Sequence, residues 1–313
     1  MKDCIHQIRL WNPTTPIYLI LEPFHKEVPF WRSLTDYSIE LVYTNTLEPT
    51  PHHTYFRTNF QGDIHFRKGY WKHVKERFFY IEELMHRESL VDVLSMEYDV
   101  LLYTPLMPLL KKFKSSHQTL RIVRDNDTRG HPALIYIPTY GSIKGFNIFI
   151  TFIIQTPLED MQALAAYASS DPTLVHYLPV ITEKKNRSIL QRKSTCNHMS
   201  QDPWYLSEDS EHFEILFDSL VVGQWVGGID SRNTGGQKIA NYENESALYN
   251  INEMKFQWKK NPETLLWQPF LDGRLLATIH VHSKSLISFR SDRSDYPKDD
   301  YDVTSVYKTL YPN

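Results

Sequence analysis

The stretch VDVLSMEYDVLLY (residues 91–103) sets two acids, Glu97 and Asp99, inside an otherwise apolar run. A strand covered on both faces reads as a nearly unbroken Val/Ile/Leu segment. An ionised carboxylate buried there is costly unless it is paired or bound to a metal. The run therefore divides into two apolar segments, VDVLSM (91–96) and VLLY (100–103), with Glu97-Tyr98-Asp99 as the corner between them. Carboxylates at i and i+2 of an extended segment point to one side. In open α/β sheets, ligands gather beyond the carboxyl ends of strands. A corner of this kind suits a hard divalent cation, Mn²⁺ or Mg²⁺, with Asp99 and Glu97 as oxygen ligands. The plain alternative is a polar strand end whose acids are solvated or paired with Lys or Arg.

Outward from the corner, further apolar runs rich in β-branched and aromatic residues fall at PIYLILE (16–22), IELVYT (39–44), LRIVR (120–124), ALIYI (133–137), GFNIFITFII (145–154) and LLATIHVH (275–282). Each has strand length and strand composition. Upstream of the corner, Val74, Phe78, Ile81, Leu84 and Met85 recur at intervals of three and four, which predicts a helix over 71–90. A strand, a helix and a strand at this spacing form a crossover unit and predict a parallel sheet with helices on its faces. A second helix is expected at 158–170, after Pro157 and with acids in its first turn. The fold class expected is α/β, a central, mostly parallel sheet flanked by helices. It forms one domain over 1–313, with a nucleotide-type half at about 16–155, a more irregular C-terminal half at about 156–289 and a charged tail at 290–313. Within the second half, the polar, basic stretch 183–201 reads as a loop or lid.

Composition narrows the partners. A net charge of −3 over 313 residues gives no polyanion-binding signature, so nucleic acid is not an expected partner. Two cysteines, Cys4 and Cys196, make no disulfide framework and fit a reducing, cytoplasmic setting. The N-terminal residues lack an apolar signal region, and no run is long enough to span a bilayer, so no transmembrane segment is expected. Aromatics at 13% suit either a well-packed enzyme or a groove with stacking surfaces.

Two later patches carry chemistry. ATIHVHSKSL (277–286) puts His280, His282 and Lys284 in one alternating series. Imidazoles add to carboxylates at a Mn²⁺-type site, and a lysine supplies positive charge for phosphate. The bland reading is one buried, hydrogen-bonded histidine and one at the surface. FDSLVVGQWVGGIDSRNTGG (217–236) gathers several of the 11 glycines around Asp218, Trp225 and Asp230. It reads either as an acceptor wall with a carboxylate for general-base work, or as a tightly packed helix–loop junction. A rival acid pair, Asp125-Asn126-Asp127, is followed by Thr-Arg-Gly, which points to a turn. The chain carries no P-loop, dinucleotide fingerprint, serine elbow or HExxH helix.

RFFYIEELMHRESLVDVLSMEYDVLLY (77–103) resembles the helix, strand and acidic motif of GT-A-fold glycosyltransferases. In that family an acid-x-acid motif holds the metal of a nucleotide-sugar. GQWVGGIDSRN (223–233) and ATIHVHSKSL are similar to segments of a little-characterised group of such transferase-like proteins. The resemblance implies a hexosyltransferase-class enzyme with Mn²⁺ or Mg²⁺ as cofactor. It implies a nucleoside-diphosphate sugar as donor and a glycan, protein or small-molecule hydroxyl as acceptor. Asp99 would be the main metal ligand, with Glu97 acting through water or the ribose. His280 or His282 would complete the coordination, and Lys284 would touch the diphosphate. Asp230 and Asp218 are the candidate bases, and Tyr18 (or Tyr43) borders the nucleoside by position. The departure is Glu-Tyr-Asp where the family's commoner form is Asp-x-Asp. Two other readings stay open. One is a carbohydrate- or nucleotide-binding protein of this fold that has lost catalysis. The other is a metal-dependent phosphoester or nucleotide hydrolase.

Overall fold

The computed structural model describes residues 1–63, 65–116, 118–190, 203–235 and 241–294. Its N-terminal part runs α1 (Lys2–Trp11), β1 (Ile17–Leu21), α2 (Pro29–Ser33), β2 (Ile39–Tyr43), α3 (Pro51–Asn59), α4 (Tyr70–Arg87), β3 (Val93–Met96) and β4 (Val100–Leu102). It continues through α5 (Leu106–Lys114), β5 (Leu120–Asn126), β6 (Arg129–Ile137), α6 (Tyr140–Phe152), α7 (Asp160–Ser170) and β7 (Val175–Tyr177). The remainder holds α8 (Glu183–Leu190), α9 (Ser210–Phe213), β8 (Ile215–Leu216), α10 (Val221–Gly227), β9 (Phe256–Lys260), β10 (Trp267–Leu271), β11 (Arg274–Leu276) and β12 (Thr278–His280).

The protein is mixed α/β, but its strands form small mixed sheets rather than one central parallel sheet. β1 and β2 pair in parallel, apart from the others. β3, β6, β5 and β7 form a four-stranded sheet in which β6 runs antiparallel to both β3 and β5, and β7 runs parallel to β5. β8, β11, β10 and β9 form a second mixed sheet, and β4 pairs antiparallel with β12. Two corrections to the expected fold follow. β2 and β3 lie in different sheets, so the segment between them is not a crossover within one sheet. Antiparallel pairings outnumber parallel ones among the described residues. The cause is the β5–β6 hairpin, which places β6 beside β3 with the opposite direction. Asp125-Asn126-Asp127 sits at the turn of that hairpin, as its Thr-Arg-Gly continuation suggested.

A third correction concerns GFNIFITFII, read as a strand from its β-branched and aromatic content. It belongs to α6. Thr139 caps this helix by accepting from the Ser142 amide, and Ile143, Phe146, Asn147 and Ile150 face inward at helical spacing, leaving Phe152 exposed. Periodicity and an N-cap outweigh strand composition here. The helix over 71–90 is α4, entered through Gly69 in the left-handed conformation. Phe78 of α4 meets Phe146 of α6 edge-on at 5.0 Å, and both are fully buried. Each such ring contributes roughly 2–3 kcal/mol of burial. The helix expected near 158–170 is α7, opened by a Glu159/Gln162 capping box.

One apolar cluster joins Cys4, Phe79, Leu102, Ile135, Phe217, Leu271 and Ile279, so both sequence halves contribute to the same core. It backs the corner directly: Val100, Leu101 and Leu102 are buried, and β12 lies alongside them. Of the loop-or-lid stretch, 183–190 is helical, and 191–201, with Cys196, lies outside the described residues. Of the charged tail, 290–294 packs back on α1 through Arg290–Asp3 and Gln7–Ser291 contacts, while 295–313 lies outside the described residues.

Candidate functional site

The corner forms as the sequence suggests. β3 ends at Met96, the Val100 amide donates to the Glu97 carbonyl at 3.1 Å, and the chain re-enters as β4. β12 pairs with β4 so that His280 stands opposite Val100, and the Val281 amide donates to the Asp99 carbonyl at 2.8 Å. Residues 181 positions apart in sequence are thereby brought to one point: His280 Nε2 lies 3.1 Å from Asp99 Oδ2 and 3.8 Å from Glu97 Oε2. Lys284 Nζ contacts the same Asp99 oxygen. Its backbone sits at φ 66°, a left-handed conformation uncommon for a lysine, in the turn after β12. That turn reverses the chain and returns the ammonium to the acids.

Glu97, Asp99 and His280 each offer a ligand atom, and these atoms lie within 4.8 Å of one another. Two oxygens and an imidazole nitrogen at this spacing suit a first shell of Mn²⁺ or Mg²⁺. Asp99 Oδ1 and His280 Nδ1 are buried and make no hydrogen bond, so the centre holds polar atoms that the protein does not itself satisfy. On these grounds the residues fit a divalent ion, provided the Lys284 ammonium moves off Asp99.

Charge at the centre is balanced. Burial pushes the Asp99 carboxyl upward, but His280 and Lys284 outweigh it and hold the group well below the usual carboxylate range. Burial likewise opposes ionisation of Glu97, and Arg77 and His280 reverse the direction. His280 is itself raised, because Asp99 and Glu97 outweigh its burial. His282 goes the other way. Burial, then the positive neighbours His280 and Lys284, depress it to about 4, so its ring is neutral near pH 7. That ring accepts the Asp230 amide at Nδ1, 3.1 Å away, and a neutral imidazole accepting there carries its proton on Nε2.

The two candidate bases have different surroundings. Asp218 is buried, and its oxygens accept the backbone amides of Val222, Gly223 and His280, each at 2.9 Å. It therefore locks α10 to β12 and fixes where His280 stands. Burial outweighs these amides and raises its pKa. Gly223 is required in this arrangement, since a Cβ there would fall 1.9 Å from the His280 carbonyl oxygen. Asp230 lies beside His282 and caps a 3₁₀ turn at Ser231–Asn233. Its hydrogen bonds from Arg232 lower it to about 2. Tyr18 sits on β1, packed against Val42, Leu47 and Tyr80.

Arg77 and Asp160 stand outside the site residues expected from sequence, although Asp160 is one of the acids that open the second helix. Arg77, on α4, binds Glu97 through one nitrogen and Asp160, at the start of α7, through another at 2.5 Å. It grips Glu97 Oε1, while His280 faces Oε2. The signal available was a single arginine in an otherwise apolar helical series, Arg77-Phe78-Phe79-Tyr80, whose acidic partners are remote in sequence.

No family model matches the chain, and no curated protein matches it. Among solved structures, the apo form of mouse xyloside xylosyltransferase 1 is similar at 10% identity with a TM-score of 0.39. The match covers 57% of this chain and 78% of that one. A likeness so distant concerns backbone shape, and no residue role is taken from it. Among the described residues no helix is long and apolar enough to cross a membrane.

Proposed function

We propose that this protein is a metal-dependent glycosyltransferase that moves a sugar from a nucleoside-diphosphate donor to a hydroxyl acceptor. The observation that carries the reading is the meeting of Glu97, Asp99, His280 and Lys284 at one corner, where Asp99 Oδ1 and His280 Nδ1 are buried without a hydrogen bond. Asp99 and His280 would hold Mn²⁺ or Mg²⁺, with Glu97 as the third ligand or its partner through water. The ion, when bound, supplies positive charge to the departing diphosphate.

The chain's own part follows from its charges. Lys284 leaves Asp99 for the diphosphate, adding a mobile cation where negative charge develops. Arg77 keeps Glu97 ionised and oriented. Asp218 holds His280 in place through its amide, and neutral His282 donates from Nε2. Asp230, less buried in amide contacts than Asp218, is the carboxylate to serve as base for the acceptor hydroxyl. With Arg232 on both oxygens it is a weak base, so proton acceptance requires that arginine to turn away. Tyr18 on β1 is the candidate border of the nucleoside.

One observation favours a second reading. Lys284 already neutralises Asp99, and a site so balanced can bind a nucleotide or carbohydrate without metal or turnover. Calorimetric titration of UDP and GDP, with and without Mn²⁺, separates the two readings. The transferase reading expects metal-dependent binding that Asp99→Ala weakens by about 100-fold, as loss of a direct ligand should. Nucleotide binding that ignores both metal and Asp99→Ala would leave the binding-protein reading. Steady release of free sugar from a nucleotide-sugar, with no transfer to any acceptor, would favour the hydrolase.

A further inference from the structure

The corner is bordered by contacts that lead back to where they start. Arg77, which grips Glu97, lies seven residues after Tyr70 on α4, so the two residues share a face two turns apart. Tyr70 opens the helix beside Phe66 and Trp71. The Phe66 and Trp71 rings stack at 5.5 Å and 14°, and Tyr70 meets each edge-on. Phe66 is 39% and Tyr70 41% exposed, so this aromatic group faces outward.

From there Arg67 reaches across to Asn233, 3.1 Å away on the 3₁₀ turn capped by Asp230. Arg232 of that turn interacts with the phenol of Tyr98, the exposed middle residue of the corner, and Lys284 stands 5.4 Å from the same ring. The rim thus closes on Glu97-Tyr98-Asp99. The backbone of the aromatic segment is strained at this place: Arg67 and Lys68 have φ of 43° and 58°, ahead of Gly69 at 85°. Two consecutive non-glycine residues in that region persist only where the surroundings hold them, and such strain gathers at ligand sites. Tyr70 also feels the centre: burial, then the charges of Asp160 and Glu97, raise its phenol.

We propose that this rim is a pyranose-binding face for the acceptor, with Phe66 and Tyr70 taking the apolar side of the sugar ring and Arg67 and Asn233 its hydroxyls. The inference rests on the transferase reading for the direction of transfer, but not for the binding itself. A pyranose is amphipathic, with C–H groups on its faces and hydroxyls around its edge. It is matched by part-exposed aromatic rings beside planar hydrogen-bonding side chains, once Arg67, which lies over the Phe66 ring at 5.2 Å, swings aside to meet the sugar's hydroxyls. A wholly apolar partner that parted Arg67 from Asn233 would leave both groups without a hydrogen bond, whereas a pyranose offers hydroxyls to each.

The test is saturation-transfer NMR on the full chain with millimolar methyl α- and β-glucosides, galactosides and xylosides, alongside uridine and guanosine. At least one pyranoside should receive transfer, strongest at its axial ring protons. Phe66→Ala and Tyr70→Ala should each weaken it about tenfold, and Tyr70→Phe should retain it, because the ring face is what binds. Arg67→Ala and Asn233→Ala, both at the surface, should weaken it less, and they decide the matter if a ring variant fails to fold by circular dichroism. No transfer to any pyranoside, or transfer unchanged in all these variants, overturns the proposal. Loss of uridine or guanosine binding in Tyr70→Ala overturns it in favour of a nucleobase platform. Pyranoside binding without nucleotide binding would sink the transferase reading and leave the face standing; nucleotide binding without pyranoside binding would do the reverse.

Discussion

His280 and His53 are both buried imidazoles held between carboxylates, yet the two regions have different capacities. His53, between α3 and α4, spends both ring nitrogens: Nδ1 meets Glu83 at 2.5 Å and Nε2 meets Glu76 at 3.2 Å. Arg57 covers Glu76 at 2.7 Å, and the His53 ring stacks on Phe79 at 4.9 Å. Burial disfavours the charged ring, but the two glutamates outweigh it and raise its pKa, while His53 and Arg57 pull Glu76 down to about 2 against its own burial. His280 keeps Nδ1 unengaged, Asp99 keeps Oδ1 unengaged, and the cation that balances them comes on a part-exposed lysine able to leave. A histidine with both nitrogens used fastens two helices. One with a nitrogen in hand, beside a carboxylate with an oxygen in hand, belongs to a centre that can take a ligand.

The sharpest way to break that contrast is His53→Leu. Removing the ring strands Glu83 and Glu76 in a buried place, and breaking a buried charge pair costs about 3–5 kcal/mol. Urea unfolding should show a loss of that size, while the folded fraction keeps its nucleotide affinity. A loss below about 1 kcal/mol, at the level of a surface pair, would mean that the helical cluster is not the fastening described. Next in size is Gly223→Ala. The new methyl group meets backbone, at 1.9 Å from the His280 carbonyl oxygen, so α10 or β12 must shift. Overpacking of this kind costs roughly 1–3 kcal/mol. Because the shift falls on His280, metal-dependent nucleotide binding should weaken as well. Gly130→Ala is the control, since its Cβ meets the end of Ile122 at 2.7 Å, away from the centre, and should lower stability alone.

What was legible in the sequence divides along the same line. The corner could be read because two acids interrupt an apolar run, and a break in a pattern is a local signal. The alternation of His280, His282 and Lys284 was equally local, and β12 delivers His280 and Lys284 to Asp99. Sheet direction could not be read, because VDVLSM and ALIYI look alike whichever way they pair, and the hairpin that sets β6 against β3 is a tertiary choice. α6 carries a strand-like β-branched and aromatic content, and only its Thr139 cap and the spacing of Ile143, Phe146 and Ile150 mark it as a helix. Arg77 escaped notice for a further reason: its partners Glu97 and Asp160 lie 20 and 83 residues away, and no local pattern encodes such a clamp.

The smallest effect separates the two late histidines. His282 has a folded pKa of about 4 against an ordinary 6.5, so between those values the unfolded chain binds more protons than the folded one. Stability on its account is therefore full above about pH 6.5 and falls as pH drops toward 4. The full shift corresponds to at most about 3 kcal/mol, and solvent reaching a part-exposed ring reduces this to about 1 kcal/mol near pH 5. His280 has the opposite sign: its raised pKa gives stability that is present below pH 6.5 and is lost as pH rises through the folded value. In paired urea melts at pH 5 and pH 7, His282→Gln should lose less stability on acidification than the parent, by about that 1 kcal/mol. His280→Gln should lose more than the parent, because the contribution that grows at low pH is gone. Equal slopes for the two variants would show that both rings sit in the same electrostatic environment, and the division of the pair into a ring raised by the acids and one lowered beside Asp230 would fall.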